Sequence, residues 1–406
     1  MELAHQSNSC LVEDVVILIC KSLSVKDIKN ARLVSKVWNC GASYRLKELT
    51  RLHVDFNPRN LDISLIKEQL NFFPHHVCIL LRGMTRIKAA MFSPELVPSG
   101  LNLRSLWISG CPRNKWDDLV VTLVGEMLAN SSSSLEEVKY YGYIRPKFGE
   151  GVVFKKVKKL RVYSLQLREL SHICRIFLNT CPNLERLEMD YAGNNLWVRD
   201  PARFPSSLTS LIFNSVYLQE AWIGKNFAKQ LYLNFPNPLR VLHLSQYCDE
   251  PEMHMSLYDL LQKHASTLVE LGVTLKAYHR DLYLPPLPVL EFLEINVGRD
   301  HELWWLEEDE QGVDRETLGY AKFLPKLSRL HLMCGQHVDS TSLVDSFIPV
   351  DPNELEDYAG PGCRTVKNVV IRENLVDPAR LKDRFEQYCY LCRVWPEAEI
   401  KWDTFP

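Results

Sequence analysis

The sequence predicts an α/β protein in which a short helical module precedes a long series of strand-and-helix repeats. Two observations support this prediction. Apolar residues recur with helical period between Leu11 and Trp38, and the pattern Leu-x-x-Leu-x-Leu recurs along the rest of the chain. The length of 406 residues agrees with it, because a chain this long exceeds one compact core unless it is built from repeats or forms an unusually large domain.

The helical module comes first. Residues 11–38 read LVEDVVILICKSLSVKDIKNARLVSKVW, which we interpret as two short helices ending in a tryptophan. Ser24 and Asp27 have the spacing of a capping box and predict the start of the second helix. A unit of about 40 residues rarely buries enough apolar surface to fold alone, so its apolar faces need the rest of the chain, another protein, or both. The apolar positions of the two helices are Val15, Val16, Ile19, Cys20 and Leu23, then Ile28, Ala31, Val34 and Trp38.

This segment resembles the F-box, the module by which a large family docks onto a Skp-type adaptor in cullin–RING ubiquitin ligases. The family pattern ends in Val-Cys-Arg-x-Trp; Val34, Ser35, Lys36 and Trp38 stand at this last block, and the register with the earlier blocks needs no gap. Val12 and Ser24 replace the two prolines that shape the adaptor contact in the family. The resemblance implies an F-box over residues 8–50, and the alternative is a helical hairpin that caps a larger domain. The implied adaptor-binding residues are Leu11, Val15, Ile19, Leu23, Ile28, Val34 and Trp38.

The body of the chain repeats the template Leu-x-x-Leu-x-Leu at intervals of roughly 22 to 39 residues. Each unit predicts a short strand with alternate side chains facing inward, parallel to its neighbours, and a helical or irregular return. Looser matches begin at Leu49 and Val77, where we expect Val77 and Leu80 to face inward. The full pattern begins at Leu103, Leu135, Val157, Leu184, Leu208, Leu239, Leu268, Leu290, Leu327 and Val366.

This body is similar to the leucine-rich-repeat class of F-box proteins, especially the irregular fungal-type members. The resemblance implies a horseshoe-shaped solenoid over residues 51–406, with a parallel sheet on its concave face. Two acidic insertions with embedded aromatic residues interrupt the repeats, near residues 299–322 and 345–360. Long loops on a repeat scaffold often bind partners, and the alternative is a solvated edge with the aromatic side chains packed against a neighbouring repeat.

The positions between the leucines are predicted to face solvent. Trp107, Tyr141, Arg161 and Tyr163 would lie side by side on three adjacent strands. Trp, Tyr and Arg are the residue types that most often dominate protein interfaces, so our hypothesis is that these four belong to a substrate-docking surface. Scattered exposed aromatic residues are also normal in proteins, and they remain the alternative.

The composition is that of an ordinary globular protein, with 46% hydrophobic and 24% charged residues. A net charge of −2 gives no drive toward nucleic acid or anionic membrane, and no apolar run approaches the ~20 residues of a membrane helix. The cysteines are scattered singly except for Cys389 and Cys392, for which we expect packing in the core. We therefore predict a cytoplasmic or nuclear protein with neither nucleic acid nor membrane as a partner.

No catalytic motif is found in the sequence. Gly149 and Gly151 lack the third glycine of a nucleotide-binding loop, and neither a nucleophile elbow nor HExxH occurs. We expect no enzymatic activity, no cofactor and no metal. The resemblance implies a substrate-recognition subunit of an SCF-type ubiquitin ligase, with a Skp-type adaptor, and through it the cullin–RING ligase, as its partners. The alternative is a leucine-rich-repeat binding scaffold whose F-box-like cap does not engage a ligase.

Overall fold

The computed structural model describes the chain in segments that fall into two compact units, Met1–Asn183 and Leu184–Pro406. Among the described residues the fold is α/β, with thirteen parallel strands divided between the two units. The described segments are residues 14–56, 63–71, 74–81, 97–110, 118–141, 149, 151–163, 167–189, 204–213, 231–232, 235–247, 251–275, 281–298, 302–309, 312–316, 318–335, 340–348, 364–373 and 381–404.

The first unit starts with three helices: α1 (residues 14–21), α2 (Val25–Ala31) and α3 (Lys36–Leu49). The capping box is confirmed, because the Asp27 backbone N–H donates to the Ser24 hydroxyl at 3.2 Å. The prediction of a single second helix is wrong. The chain turns at residues 32–34, and a new helix begins after Ser35, whose hydroxyl accepts the N–H of Trp38.

The three helices share a small hydrophobic core, with Leu23, Val37 and Trp38 partly buried against it. Gly41 is required where α1 crosses α3, because a Cβ at this position would lie 2.7 Å from Cγ1 of Val16. The predicted buried face of α1 is only partly right: Val16 and Cys20 face the core, whereas Val15 and Ile19 are exposed. The core residues are Val16, Cys20, Ile28, Ala31, Ala42 and Leu46.

Five parallel strands follow in chain order within the first unit. Inward and outward side chains alternate strictly along β3 and β4, as the repeat pattern predicts. The prediction for β2 is wrong by one position, since Val77 and Ile79 face inward and Leu80 does not. The elements are β1 (Arg51–Phe56), α4 (Ile63–Asn71), β2 (His76–Leu81), β3 (Ser105–Gly110), α5 (Asp118–Asn130), β4 (Glu137–Tyr141), β5 (Lys159–Tyr163) and α6 (Leu167–Thr180).

Successive repeats are joined by a backbone hydrogen-bond pattern just ahead of each strand. The carbonyl of Arg104 accepts the N–H groups of Glu136 and Glu137, at 2.8 and 3.0 Å. In the second unit the carbonyl of Arg240 accepts those of Val269 and Glu270 at the same two distances. This pairing sets each strand in register with the previous one, so the leucines of consecutive templates stack on one another.

The second unit contains eight parallel strands in its main sheet and a separate three-stranded sheet formed by β10, β12 and β13. It begins with β6 (Arg186–Met189), β7 (Ser210–Phe213), β8 (Val241–Tyr247), α7 (Pro251–His264), β9 (Glu270–Leu275), β10 (Asp281–Leu284), β11 (Phe292–Val297), β12 (Glu302–Asp309) and β13 (Gly312–Glu316). It ends with α8 (Tyr320–Phe323), β14 (Arg329–Cys334), α9 (Ser340–Asp345), β15 (Asn368–Glu373), α10 (Leu381–Val394) and β16 (Glu399–Thr404).

The predicted insertion at residues 299–322 contains the antiparallel hairpin of β12 and β13. Its Trp305 is buried, with the indole Nε1–H donating to the carbonyl of Ser346 at 3.0 Å and the ring packing edge-on against Phe323 and Phe347. The alternative of an aromatic side chain packed against neighbouring structure therefore holds for Trp305. Most of the second insertion, 345–360, lies outside the described residues.

Two further features differ from expectation. The final strand β16, which pairs in parallel with β15, carries no full leucine template and is not predicted by the sequence pattern. Cys389 and Cys392 are exposed on α10, so the prediction of core packing is wrong for both. Cys181 does lie in the core, and burial raises the pKa of its thiol to about 12.

Every helix in the described segments is too short or too polar to span a lipid bilayer. Within the same segments, the His, Cys, Asp and Glu side chains form no group of three that could hold a metal ion.

We expect Gly41→Ala to loosen α1 from α3, because the added methyl meets Val16 and the backbone nitrogen of Ile17. The cost should be about 1–3 kcal/mol of the module's stability. Faster hydrogen exchange of the α1 and α3 amides would show it. Gly149→Ala is the matched control, because a Cβ there meets nothing within 4 Å. Equal exchange rates in the two variants would contradict the proposed close approach.

His264, buried at the end of α7, is expected to make the second unit acid-sensitive. Burial, assisted by the charge of Lys263, lowers its pKa to about 4, and its Nδ1 accepts the N–H of Leu239 at 3.3 Å. Because the unfolded pKa is about 6.5, the unfolded state takes up the proton first as the pH falls. The neutral, buried His264 therefore contributes about 3 kcal/mol to the free energy of unfolding relative to acidic solution. This contribution is complete above pH ~6.5 and is lost as the pH falls toward ~4.

Urea unfolding of the wild type and His264→Asn at neutral and acidic pH measures this effect. Asparagine offers an oxygen to Leu239 but does not titrate, so the variant should lose less stability on acidification. An identical pH dependence in both proteins would contradict a buried neutral histidine.

Candidate functional site

The three-helix module exposes an unusual number of large apolar side chains. Twelve large hydrophobic residues are exposed in the described part of the chain, and seven of them lie between residues 15 and 49. Soluble proteins seldom concentrate exposed apolar side chains in one small segment unless that segment binds something. We call this set the module surface: Val15, Leu18, Ile19, Val25, Leu33, Val34 and Leu49.

Helix α1 is apolar on two sides. Val15, Leu18 and Ile19 fall at positions i, i+3 and i+4, which places them on one helix face. Val16 and Cys20, one position further along, are turned into the core. A helix with only one apolar face would be satisfied by the module itself, whereas the second face of α1 requires another partner to be covered.

The turn between α2 and α3 presents the two most exposed members of the module surface. Leu33 is 85% exposed and Val34 is 68% exposed. Backbone hydrogen bonds from Leu33 to Asn30 and from Val34 to Ala31 close the turn, at 3.0 and 3.2 Å. These side chains are thus held by ordered backbone, which lowers the entropic cost of binding a partner.

The residues predicted to bind an adaptor fall into three groups. Val15, Ile19 and Val34 belong to the module surface, and Leu23 and Trp38 are half-buried at its core. Leu11 lies outside the described residues. Ile28 is fully buried and packs within the module, so the expectation that it contacts a partner directly is corrected to a role in the core.

Sequence reasoning missed Leu18 and Leu33 as surface residues. Leu33 was hidden because the apolar spacing from Ile28 to Trp38 suggested a continuous helix. Ser35, three residues before Trp38, was an available signal, since serine at this position commonly caps a new helix. Leu18 follows Val15 by three residues and could have been found from helix geometry.

A second candidate surface is the outward side of β3, β4 and β5, which we call the strand face and which comprises Trp107, Lys139, Tyr141, Arg161 and Tyr163. Register places Trp107 beside Lys139 and Lys139 beside Arg161. Tyr141 lies beside Tyr163, with ring centroids 6.1 Å apart. All five are half-buried, so the structure brings the four predicted substrate-binding residues onto adjacent strands.

Charged neighbours surround these aromatic residues. The guanidinium of Arg51 lies 5.5 Å from the centroid of the Trp107 ring, within cation–π range. One carboxylate oxygen of Glu137 lies 3.5 Å from Nζ of Lys139 and 3.7 Å from Nε of Arg161. The strand face therefore combines aromatic rings with cations that share an acidic neighbour.

The corresponding positions of the second unit pair mainly with one another. His243 Nε2 and Glu270 Oε1 are 2.8 Å apart, and this hydrogen bond is the main reason why the pKa of Glu270 is lowered. The guanidinium of Arg329 lies 4.6 Å over the Phe292 ring. Gly272 makes room for the histidine, because a Cβ there would be 2.4 Å from its Nδ1.

The described residues thus form an α/β chain built from repeats, with an exposed apolar helical surface and an aromatic, charged strand face. The sequence matches no family model. A comparison with curated proteins likewise finds no match.

We expect Leu33→Ser and Val34→Ser to leave the module's stability within about 0.5 kcal/mol of the wild type, because both side chains are exposed. Ile28→Ala should cost about 2–5 kcal/mol, because Ile28 is fully buried. Hydrogen exchange of the helix amides under native conditions measures all three variants. A large loss in the serine variants would mean that the turn packs against other residues.

Proposed function

We propose that this chain is the substrate-recognition subunit of an SCF-type (Skp–cullin–F-box) ubiquitin ligase. In this role residues 8–50 act as an F-box that docks a Skp-type adaptor, and leucine-rich repeats over residues 51–406 hold a target protein. The chain would catalyse no bond-making step itself. Its task would be to bring the target within reach of the conjugating enzyme on the cullin–RING assembly.

The observation that carries the proposal is the module surface. Three small helices bury one apolar core and still expose seven large hydrophobic side chains. Covering an aliphatic side chain contributes roughly 1.5–3 kcal/mol. Several such contacts together offset the ~4–15 kcal/mol cost of bringing two proteins together. The ungapped resemblance of residues 11–38 to the F-box pattern supports a Skp-type adaptor as the protein that covers this surface.

The parallel strands support the second half of the proposal. A stack of repeats offers a long row of outward side chains, which can contact an extended partner without any change in the core. On β3 to β5 these outward positions include one Trp, two Tyr and one Arg, the types that dominate protein interfaces. The target would therefore bind on the strand face, away from the module surface in sequence.

Adaptor capture tests the proposal. We expect the wild-type protein to co-purify with a recombinant Skp-type adaptor. Leu33→Glu and Val34→Glu should weaken the complex about tenfold or more, because each places a charge on a surface that must lose water. Titration calorimetry or co-purification at matched concentrations measures the change.

Val153→Glu is the matched control, because Val153 is also an exposed valine of the first unit but lies outside the helical module. It should bind the adaptor like the wild type. If the wild type fails to bind under conditions in which an established F-box protein binds, the ligase proposal is wrong. The scaffold alternative, in which the missing prolines at Val12 and Ser24 prevent docking, would then take its place.

A further inference from the structure

The strand face continues into a strongly basic segment. Residues 135–163, as far as the structure describes them, contain six cationic side chains and two acidic ones, Glu136 and Glu137. Lys155, Lys156, Lys158 and Lys159 are exposed at the approach to β5 and at its first position. We call this segment, together with Lys139 and Arg161, the basic face. The whole chain has a net charge of −2, so this excess of positive charge is local.

The geometry at the centre of the basic face shows how its charges are arranged. Lys139 and Arg161 are direct neighbours across β4 and β5, and both approach the same oxygen of Glu137. Adjacent parallel strands are only about 4.8 Å apart, so these two cations lie close together. A carboxylate from a partner would therefore find two cations within reach of one position.

The neighbouring strands extend the positive field. Burial and then the charges of Arg51 and Arg104 lower the pKa of His76 on β2. The side chain of His76 is held by Ser105 on β3, with Nδ1 and Oγ 2.8 Å apart. Arg51 adds a further cation beside the strand face, since its guanidinium lies over the Trp107 ring, whereas Arg104 is paired with Glu48.

Aromatic rings lie directly beside these cations. Tyr141 and Tyr163 flank Lys139 and Arg161 two positions along the same strands, and Trp107 is in register with Lys139. A partner that places carboxylates on the cations would bring its neighbouring residues onto the aromatic rings. The surface thus suits a segment with both acidic and apolar or aromatic side chains.

We propose that the basic face binds an acidic, aromatic-containing segment of a target protein; this inference rests on the proposed function, in which the repeats hold the target. Carboxylates of the segment pair with Lys139, Arg161 and the lysines before β5. Its aromatic or aliphatic residues cover Trp107, Tyr141 and Tyr163. Positive charge on the receptor also speeds the encounter with an acidic target at low ionic strength.

A nucleic acid is disfavoured on this face, because the chain as a whole carries a net charge of −2.

Fluorescence anisotropy with short labelled peptides tests the inference. A peptide of alternating glutamate and tyrosine should bind the full-length protein, with an affinity that falls as salt is added, and a matched lysine–tyrosine peptide should not bind. The double variant Lys139→Glu with Arg161→Glu should weaken binding about tenfold or more, since it reverses both central charges. The milder double variant Lys139→Gln with Arg161→Gln should weaken peptide binding less. It replaces the charge-reversal variant in the test if charge reversal disturbs folding.

Lys26→Glu with Lys29→Glu is the control of equal charge change, because both lysines are exposed on α2 of the same unit. It should leave peptide binding within about twofold of the wild type. Equal loss in the control and in the Lys139 and Arg161 variants would overturn the inference, because binding would then follow net charge alone. Tighter binding of an oligouridine than of the acidic peptide would also overturn it.

Adaptor capture, measured on the same wild-type preparation, separates this inference from the proposed function. If the adaptor binds and the glutamate–tyrosine peptide does not, the basic face has another role and the ligase proposal stands. If the peptide binds and the adaptor does not, the acidic-segment site stands and the ligase proposal fails.

Discussion

The stacking of each strand on the previous one is the constraint on which this structure depends. A single template such as Leu135, Val138 and Tyr140 puts two apolar side chains on one side of a five-residue strand and a third just before it, and the strand cannot cover them alone. The backbone solves part of the problem, since the carbonyl ahead of one strand accepts two N–H groups of the next. Polar side chains complete the links: the hydroxyl of Thr267 donates to the carbonyl of Leu239, and that of Ser134 to Leu103. Register is thereby fixed in each unit, and with it the identity of every outward residue.

This constraint separates stability from binding. Inward positions are occupied by large apolar side chains whose exposure is close to zero, so changes there cost packing energy. Outward positions carry no such demand and can differ from strand to strand. In the first unit they present aromatic rings and cations, and in the second unit His243, Glu270, Phe292 and Arg329 are engaged with one another.

The helical module follows a different rule, because three short helices have too little volume to hide all their apolar side chains. Ile28 and Cys20 take the core, and Gly41 lets α1 approach α3 closely enough to close it. Leu18 and Leu33 are then left outside, on ordered backbone. Exposed leucines reduce solubility, so a covering partner gives the simplest physical reason for keeping them.

The repeats can be recognised from local sequence, because period-two strands flanked by leucines form a short-range pattern. By simple alternation the sequence also placed Trp107, Tyr141, Arg161 and Tyr163 on adjacent strands. It also predicted the capping box, in which both groups belong to the same helical turn. Which apolar side chains of the module are covered depends instead on how its helices pack together. Val15 and Val16 are both apolar and adjacent in sequence, and the crossing of α1 over Gly41 buries one and leaves the other in solvent. The burial of Trp305, the exposure of Cys389 and the addition of β16 likewise depend on contacts between segments distant in sequence, which no local pattern records.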